Sequence, residues 1–203
     1  LRRRINQGTY LLHLRAQRPR IKRMKTLSSS IIRLRALSLT EKTWFNAIWF
    51  QSTWFLCVLG QDALLPFTLG MLSLHFILVH SAREEARRLL PVFAVGIGVD
   101  TLLSAIGIFD FGPALIPLWL MALWVAFAAS LTRALGVFGR STWLAALVGG
   151  IGVPFNYAVG AKMGAVNLPM DPILTGAVLI TIWAMLLPAL YRVAKPIPPV
   201  EQA

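Results

Sequence analysis

The sequence predicts an all-α protein, a polytopic transmembrane helical bundle of six spans with both termini on the cytoplasmic side. Three observations carry the prediction. The 203-residue chain is 57% hydrophobic, only 14% charged and has a mean hydropathy of +0.67, far more apolar than a soluble domain of this length. From Trp44 onward it divides into six apolar runs, each near the length needed to cross a hydrocarbon core of about 30 Å. Lys and Arg gather in alternate connections between those runs, the bias that marks the cytoplasmic side.

Residues 1–42 hold more than half of the Lys and Arg of the chain and no apolar run long enough to span a bilayer. They form a basic arm. One reading is a surface-lying amphipathic segment drawn to anionic lipid, with Ile31, Ile32, Leu34, Leu37 and Leu39 as its apolar side. The other is that Met24 opens the protein, in MKTLSSS, and that residues 1–23 are an over-extended start. The formal net charge of +12 is concentrated in this arm, so it points to lipid rather than to nucleic acid.

Residues 43–195 are expected to form the six-helix transmembrane domain, and residues 196–203 a Pro-rich tail. The spans are Trp44 to Gly60, Ala63 to His80, Leu89 to Ile108, Ala114 to Leu131, Trp143 to Ala161 and Ile173 to Tyr191. Only Gln61 and Asp62 part the first two, whose combined length suits a tight hairpin better than one broken helix. Cytoplasmic connections are the arm, Arg83 to Arg88, Arg133 to Arg140, and the tail with Arg192 and Lys195. On the opposite side lie Gln61 and Asp62, Asp110, and Lys162 to Pro172.

An internal duplication is also suggested. At an offset of 59 residues, Pro113, Leu115, Trp124, Leu131 and Arg133 match Pro172, Leu174, Trp183, Leu190 and Arg192. Spans three and five share a second pattern at an offset of 56, in which Gly96, Asp100 and Ser104 correspond to Gly152, Asn156 and Gly160. Such a repeat would relate two hairpins in parallel orientation.

Asp100 is the candidate centre. A charge at bilayer depth costs at least about 2.5 kcal/mol, so a carboxylate there faces the protein interior and has a partner. Gly96, Asp100, Ser104 and Gly107 fall on one side of a helix, a small-residue face suited to close packing. In span five Gly152, Asn156, Gly160 and Gly164 recur every four residues, and Pro154 removes a backbone hydrogen bond and bends the helix. Asp100 and Asn156 reach similar depths and are expected to meet, with Tyr157 at the edge of the same cavity. Asn46, Gln51 and His75 form a looser polar set in the cytoplasmic half, for which ordinary interhelical hydrogen bonding is the simpler role. The lone Cys57 excludes an intrachain disulfide, and zinc-type H-E-x-x-H, G-x-S-x-G, Walker and complete dinucleotide motifs are missing. The sequence therefore implies no metal and no cofactor.

The segments WFNAIWFQSTWFLCVLG, GVDTLLSAIGIFDFG, IPLWLMALWVAFAASL and GGIGVPFNYAVGAKMGAV together resemble a small bacterial family of multi-pass inner-membrane proteins, the DUF2878-like proteins, a domain of unknown function. The resemblance implies a bacterial inner (plasma) membrane location and a neighbourhood of lipid-modifying enzymes of the cyclopropane-fatty-acid-synthase type. It supplies no catalytic residue. Three functions remain open on these grounds. The first is an accessory protein of membrane-lipid modification or envelope stress, with the bilayer and a lipid-modifying enzyme as partners. The second is a proton- or cation-coupled transporter or channel centred on Asp100, needing a homo-oligomer. The third is an intramembrane lipid enzyme using Asp100, Tyr157 or His75 as acid or base.

Overall fold

The structure, a computed structural model, describes Thr40 and residues 42–194. The basic arm up to residue 39, with its apolar positions and the alternative start at Met24, and the Pro-rich tail lie outside the described residues. Among the described residues six α-helices follow in order: α1 (Thr43–Gly60), α2 (Leu65–Leu78), α3 (Ala82–Ala105), α4 (Leu118–Leu131), α5 (Thr142–Lys162) and α6 (Pro172–Val193). Short 3-10 turns occupy Gln61–Leu64 and Gly136–Arg140. Among the described residues the only β-pairing is an isolated antiparallel bridge between Asp110 and Asn167.

Among the described residues four helical segments are long and apolar enough to cross a membrane: Thr43–Leu78, Ala82–Ala105, Thr142–Lys162 and Pro172–Val193, whereas Leu118–Leu131 is a shorter apolar helix. The first of these is a hairpin. Gln61 adopts a positive φ of 47°, and beyond it the chain runs back, so that Trp49 Nε1 donates to the Met71 carbonyl at 3.2 Å. The Cys57 and Thr68 side chains meet at 3.9 Å on the same interface.

Two helix starts differ from the sequence expectation. α3 begins at Ala82 rather than Leu89, because Ser81 caps it by accepting from the Glu84 amide and Glu84 and Glu85 sit in its first turn, where negative charge meets the positive end of the helix dipole. The basic stretch Arg83 to Arg88, expected as a connection, is thus helical. α4 starts at Leu118 rather than Ala114, since Pro117 disfavours helical geometry in the residue before it and is itself extended.

α3 and α5 end alike. Each closes in a left-handed glycine, Gly107 at φ 80° and Gly164 at φ 77°. In α3 the amides of Ile108 and Gly107 return to the carbonyls of Leu103 and Ser104; in α5 those of Ala165 and Gly164 return to Gly160 and Ala161. This double closure satisfies the last carbonyls and needs a residue without Cβ at the left-handed position. Gly107 and Gly164 therefore lie beyond their helices and do not extend the packing stripes.

Those caps also set the register of the two hairpins. Gly107 aligns with Gly164 and Asp110 with Asn167, an offset of 57 that replaces the 56 suggested by the small-residue pattern. It matches Asp100 to Tyr157 rather than to Asn156.

α4 is the central element, with Leu120, Trp124, Ala126, Ala129 and Leu131 all buried. A helix apolar all round belongs in a core. It packs against α1, α2 and α3, while α5 packs chiefly on α6. That second contact uses Gly149 and Gly150: a Cβ at Gly149 would overlap the Trp183 carbonyl, and one at Gly150 would press the Ala184 methyl at 3.3 Å. The small-residue face of α5 toward its neighbour is thus not the expected stripe of Gly152, Asn156 and Gly160; a Cβ at Gly152 would meet only Val148 of its own helix, at 3.8 Å.

Candidate functional site

Asp100 sits on α3 one turn after Gly96 and is completely buried. Both carboxylate oxygens accept hydrogen bonds: Oδ2 from Trp124 Nε1 of α4 at 2.7 Å, and Oδ1 from the Tyr157 hydroxyl of α5 at 2.7 Å. Gly96 makes the first possible, because any Cβ there would overlap the six-membered ring of Trp124. Aromatic rings complete the setting. Phe109 stacks on Tyr157 with centroids 4.6 Å apart, Trp183 stacks on Trp124 at 5.8 Å with planes 12° apart, and Tyr157 lies 6.2 Å from Trp183. A carboxylate held by two donors inside aromatic walls meets the requirement that a buried acid be hydrogen-bonded.

Asn156 is not a partner of Asp100. Its amide donates to the Gly152 carbonyl of its own helix at 2.8 Å, and its side chain is exposed. One residue decides this: a step of one turns a side chain about 100° around a helix, so Tyr157 rather than Asn156 faces Asp100. Pro154 lies inside α5, where its missing N–H leaves the Gly150 carbonyl without its usual helical donor. Ser104 is half-buried on α3.

A half-open cleft of about 530 Å³ runs beside the Asp100 cluster. α1, α4, α5 and α6 each give it one helical face. On α1 that face is Ala47, Phe50, Gln51, Trp54 and Val58, at helical spacing. Trp124, Tyr157 and Trp183 belong to the lining, whereas Asp100 does not and lies behind them. Gln51 and Asn156 both line the cleft.

The family profile of the proteins of unknown function DUF2878 matches residues 43–189. The chain belongs to the DUF2878 family. The match covers α1 to α5 and α6 as far as residue 189, and begins where the basic arm ends. No curated protein and no solved structure matches this DUF2878 chain.

A second polar cluster lies at the other end of α3. Glu85 is buried and takes Arg133 in a two-pronged ion pair, Nη1 at 2.7 Å and Nη2 at 3.1 Å, while His75 Nε2 lies 2.9 Å from its Oε1. Arg133 also donates to the Ala129 carbonyl at 2.9 Å. Trp49 covers His75 at 4.9 Å between ring centroids. Asn46, likewise buried, accepts from the Ala134 amide at 3.2 Å, and the Tyr191 hydroxyl donates to the Leu135 carbonyl at 2.6 Å. These bonds tie α1, α2, α3 and α6 to the chain leaving α4. His75 and Asn46 thus serve one end of the bundle, and Gln51 stands apart from them in the cleft.

Sequence reasoning missed Glu85, Arg133 and Trp124 as site members. Glu85 and Arg133 looked like loop charges and Trp124 like an apolar helix residue; the available signal was Gly96, a vacancy one turn from an intramembrane acid. Among the described residues no group of three or more His, Cys, Asp or Glu side chains is placed to hold a metal ion.

Proposed function

We propose that this DUF2878 protein is a six-span protein of the bacterial inner membrane, with both termini cytoplasmic, that holds a lipid acyl chain in its cleft as an accessory to membrane-lipid modification. The observation that carries the reading is the cleft itself: about 530 Å³, walled by apolar and aromatic faces of α1, α4, α5 and α6, and half-open. In a bilayer, a groove of this lining opens onto hydrocarbon, and an acyl chain is the occupant that matches it. The burial of Asp100 behind Trp124 and Tyr157, with both oxygens engaged, favours a role in positioning the aromatic wall over one in conducting an ion. A lipid-modifying enzyme is the partner this reading implies, with the present chain offering or withdrawing the lipid.

Native mass spectrometry of the protein released from gentle detergent tests it. Wild-type is expected to retain a bound lipid, and Gly152→Phe, which fills the cleft where space is open, is expected to lose it while remaining folded. Absence of retained lipid, or equal retention in both proteins, would refute the reading.

A further inference from the structure

The cleft carries two carboxamides that its apolar lining does not explain. Gln51 is the one residue on the α1 face lining it whose side chain can both donate and accept a hydrogen bond, lies midway between Thr43 and Gly60, and has no side-chain hydrogen bond to any described residue. Asn156 faces the same cleft from α5 and spends a single N–H on the Gly152 carbonyl, leaving its oxygen and second hydrogen unused. Of the other polar edges in the lining, the Tyr157 hydroxyl and Trp124 indole are turned to Asp100 and the Tyr191 hydroxyl to the Leu135 carbonyl, while the Trp183 indole N–H is buried without a partner. A primary amide left open to hydrocarbon loses its hydrogen bonds to water without replacement, which is unfavourable unless a ligand supplies them.

Depth identifies the ligand class. Gln51 is about 12 Å from either end of α1, and Asn156 about 9 Å from the nearer end of α5. Both lie well below the level at which a lipid headgroup sits, so a complementary polar group must belong to the chain of the lipid. We propose that Gln51 and Asn156 recognise an acyl chain bearing an oxygen function along its length, a hydroxyl or a carbonyl, rather than an unsubstituted chain. A hydroxyl fits the pair most fully, since it both donates and accepts, as a carboxamide does.

The inference rests on the acyl-chain reading of the cleft, and the test separates the two. Binding of stearate and of stearate with a mid-chain hydroxyl is measured by titration of the purified full-length protein in detergent. Wild-type is expected to bind the hydroxylated chain about tenfold more tightly, a difference of about 1.4 kcal/mol. Gln51→Leu combined with Asn156→Leu is expected to remove that preference, the ratio of the two affinities falling to about one; both side chains are exposed, so their replacement opens no cavity. Equal binding of the two chains by wild-type overturns the inference and leaves the acyl-chain reading standing, as does a preference that survives in the double variant. Failure to bind either chain sinks the acyl-chain reading and the inference with it.

Discussion

Replacing Asp100 by leucine asks what its two hydrogen bonds are worth inside the bundle. The substitution removes both acceptors at once and leaves the Trp124 indole N–H and the Tyr157 hydroxyl facing a methyl group. Interhelical hydrogen bonds in membrane proteins contribute about 0.6 kcal/mol on average and up to about 1.7 kcal/mol each, so two lost bonds amount to about 1–3 kcal/mol. Asparagine should behave differently. The indole can only donate, but a tyrosine hydroxyl also accepts, so an amide at position 100 turned with its oxygen toward Trp124 can donate to Tyr157 and keep both contacts. Asp100→Asn is therefore expected to lose less than about 1 kcal/mol, and Asp100→Leu clearly more. Reversible unfolding in mixed micelles, titrated with a denaturing detergent, measures both. A leucine variant as stable as wild-type would refute the reasoning, because it would mean that burying the carboxylate costs as much as its two donors recover.

Glu85→Ala removes the carboxylate shared by Arg133 and His75, and because the paired side chains are only 4% exposed the expected loss is about 3–5 kcal/mol, read in the same unfolding assay. Reporter fusions after Arg140 and Lys195 are expected to read cytoplasmic, and fusions near Asp62, Asp110 and Asn167 external; an inverted pattern would overturn the six-span orientation.

The helical class and most of the segment limits were legible because hydropathy reports directly on burial in lipid and on backbone satisfaction there. The starts of α3 and α4 were not, since a serine cap and a proline moved them through local backbone chemistry that a hydropathy run does not register. Asp100 was legible as a group that must have partners, and its partners were not. Depth alone leaves every residue of one helical turn as a candidate, and the choice between Asn156 and Tyr157 rests on rotation about α5, which is fixed by the packing of Gly149 and Gly150 on α6. The ion pair of Glu85 with Arg133 joins residues 48 apart in sequence, and each charge alone looks like any other at a membrane interface.

The register set by the two glycine caps gives the Asp100 cluster a further rationale. If the α3–α4 and α5–α6 hairpins are related by a two-fold axis along the membrane normal, residues near that axis meet their own equivalents. Three such meetings occur: Asp110 bridges to Asn167 and Asp100 bonds to Tyr157 at the offset of 57, and Trp124 stacks on Trp183 at the offset of 59 that relates α4 to α6. Identical indoles can stack on each other, since aromatic faces are self-complementary when offset. Two ionised carboxylates in one buried site repel strongly in a medium of low dielectric constant, so one of the pair would have to stay protonated. In the buried polar pair one copy is acidic and the other neutral, Asp100 with Tyr157, whereas the exposed Asp110 and Asn167 meet through their backbones. That difference in side chain turns a position where two acids would repel into a hydrogen bond between Asp100 and Tyr157, a wall residue of the cleft.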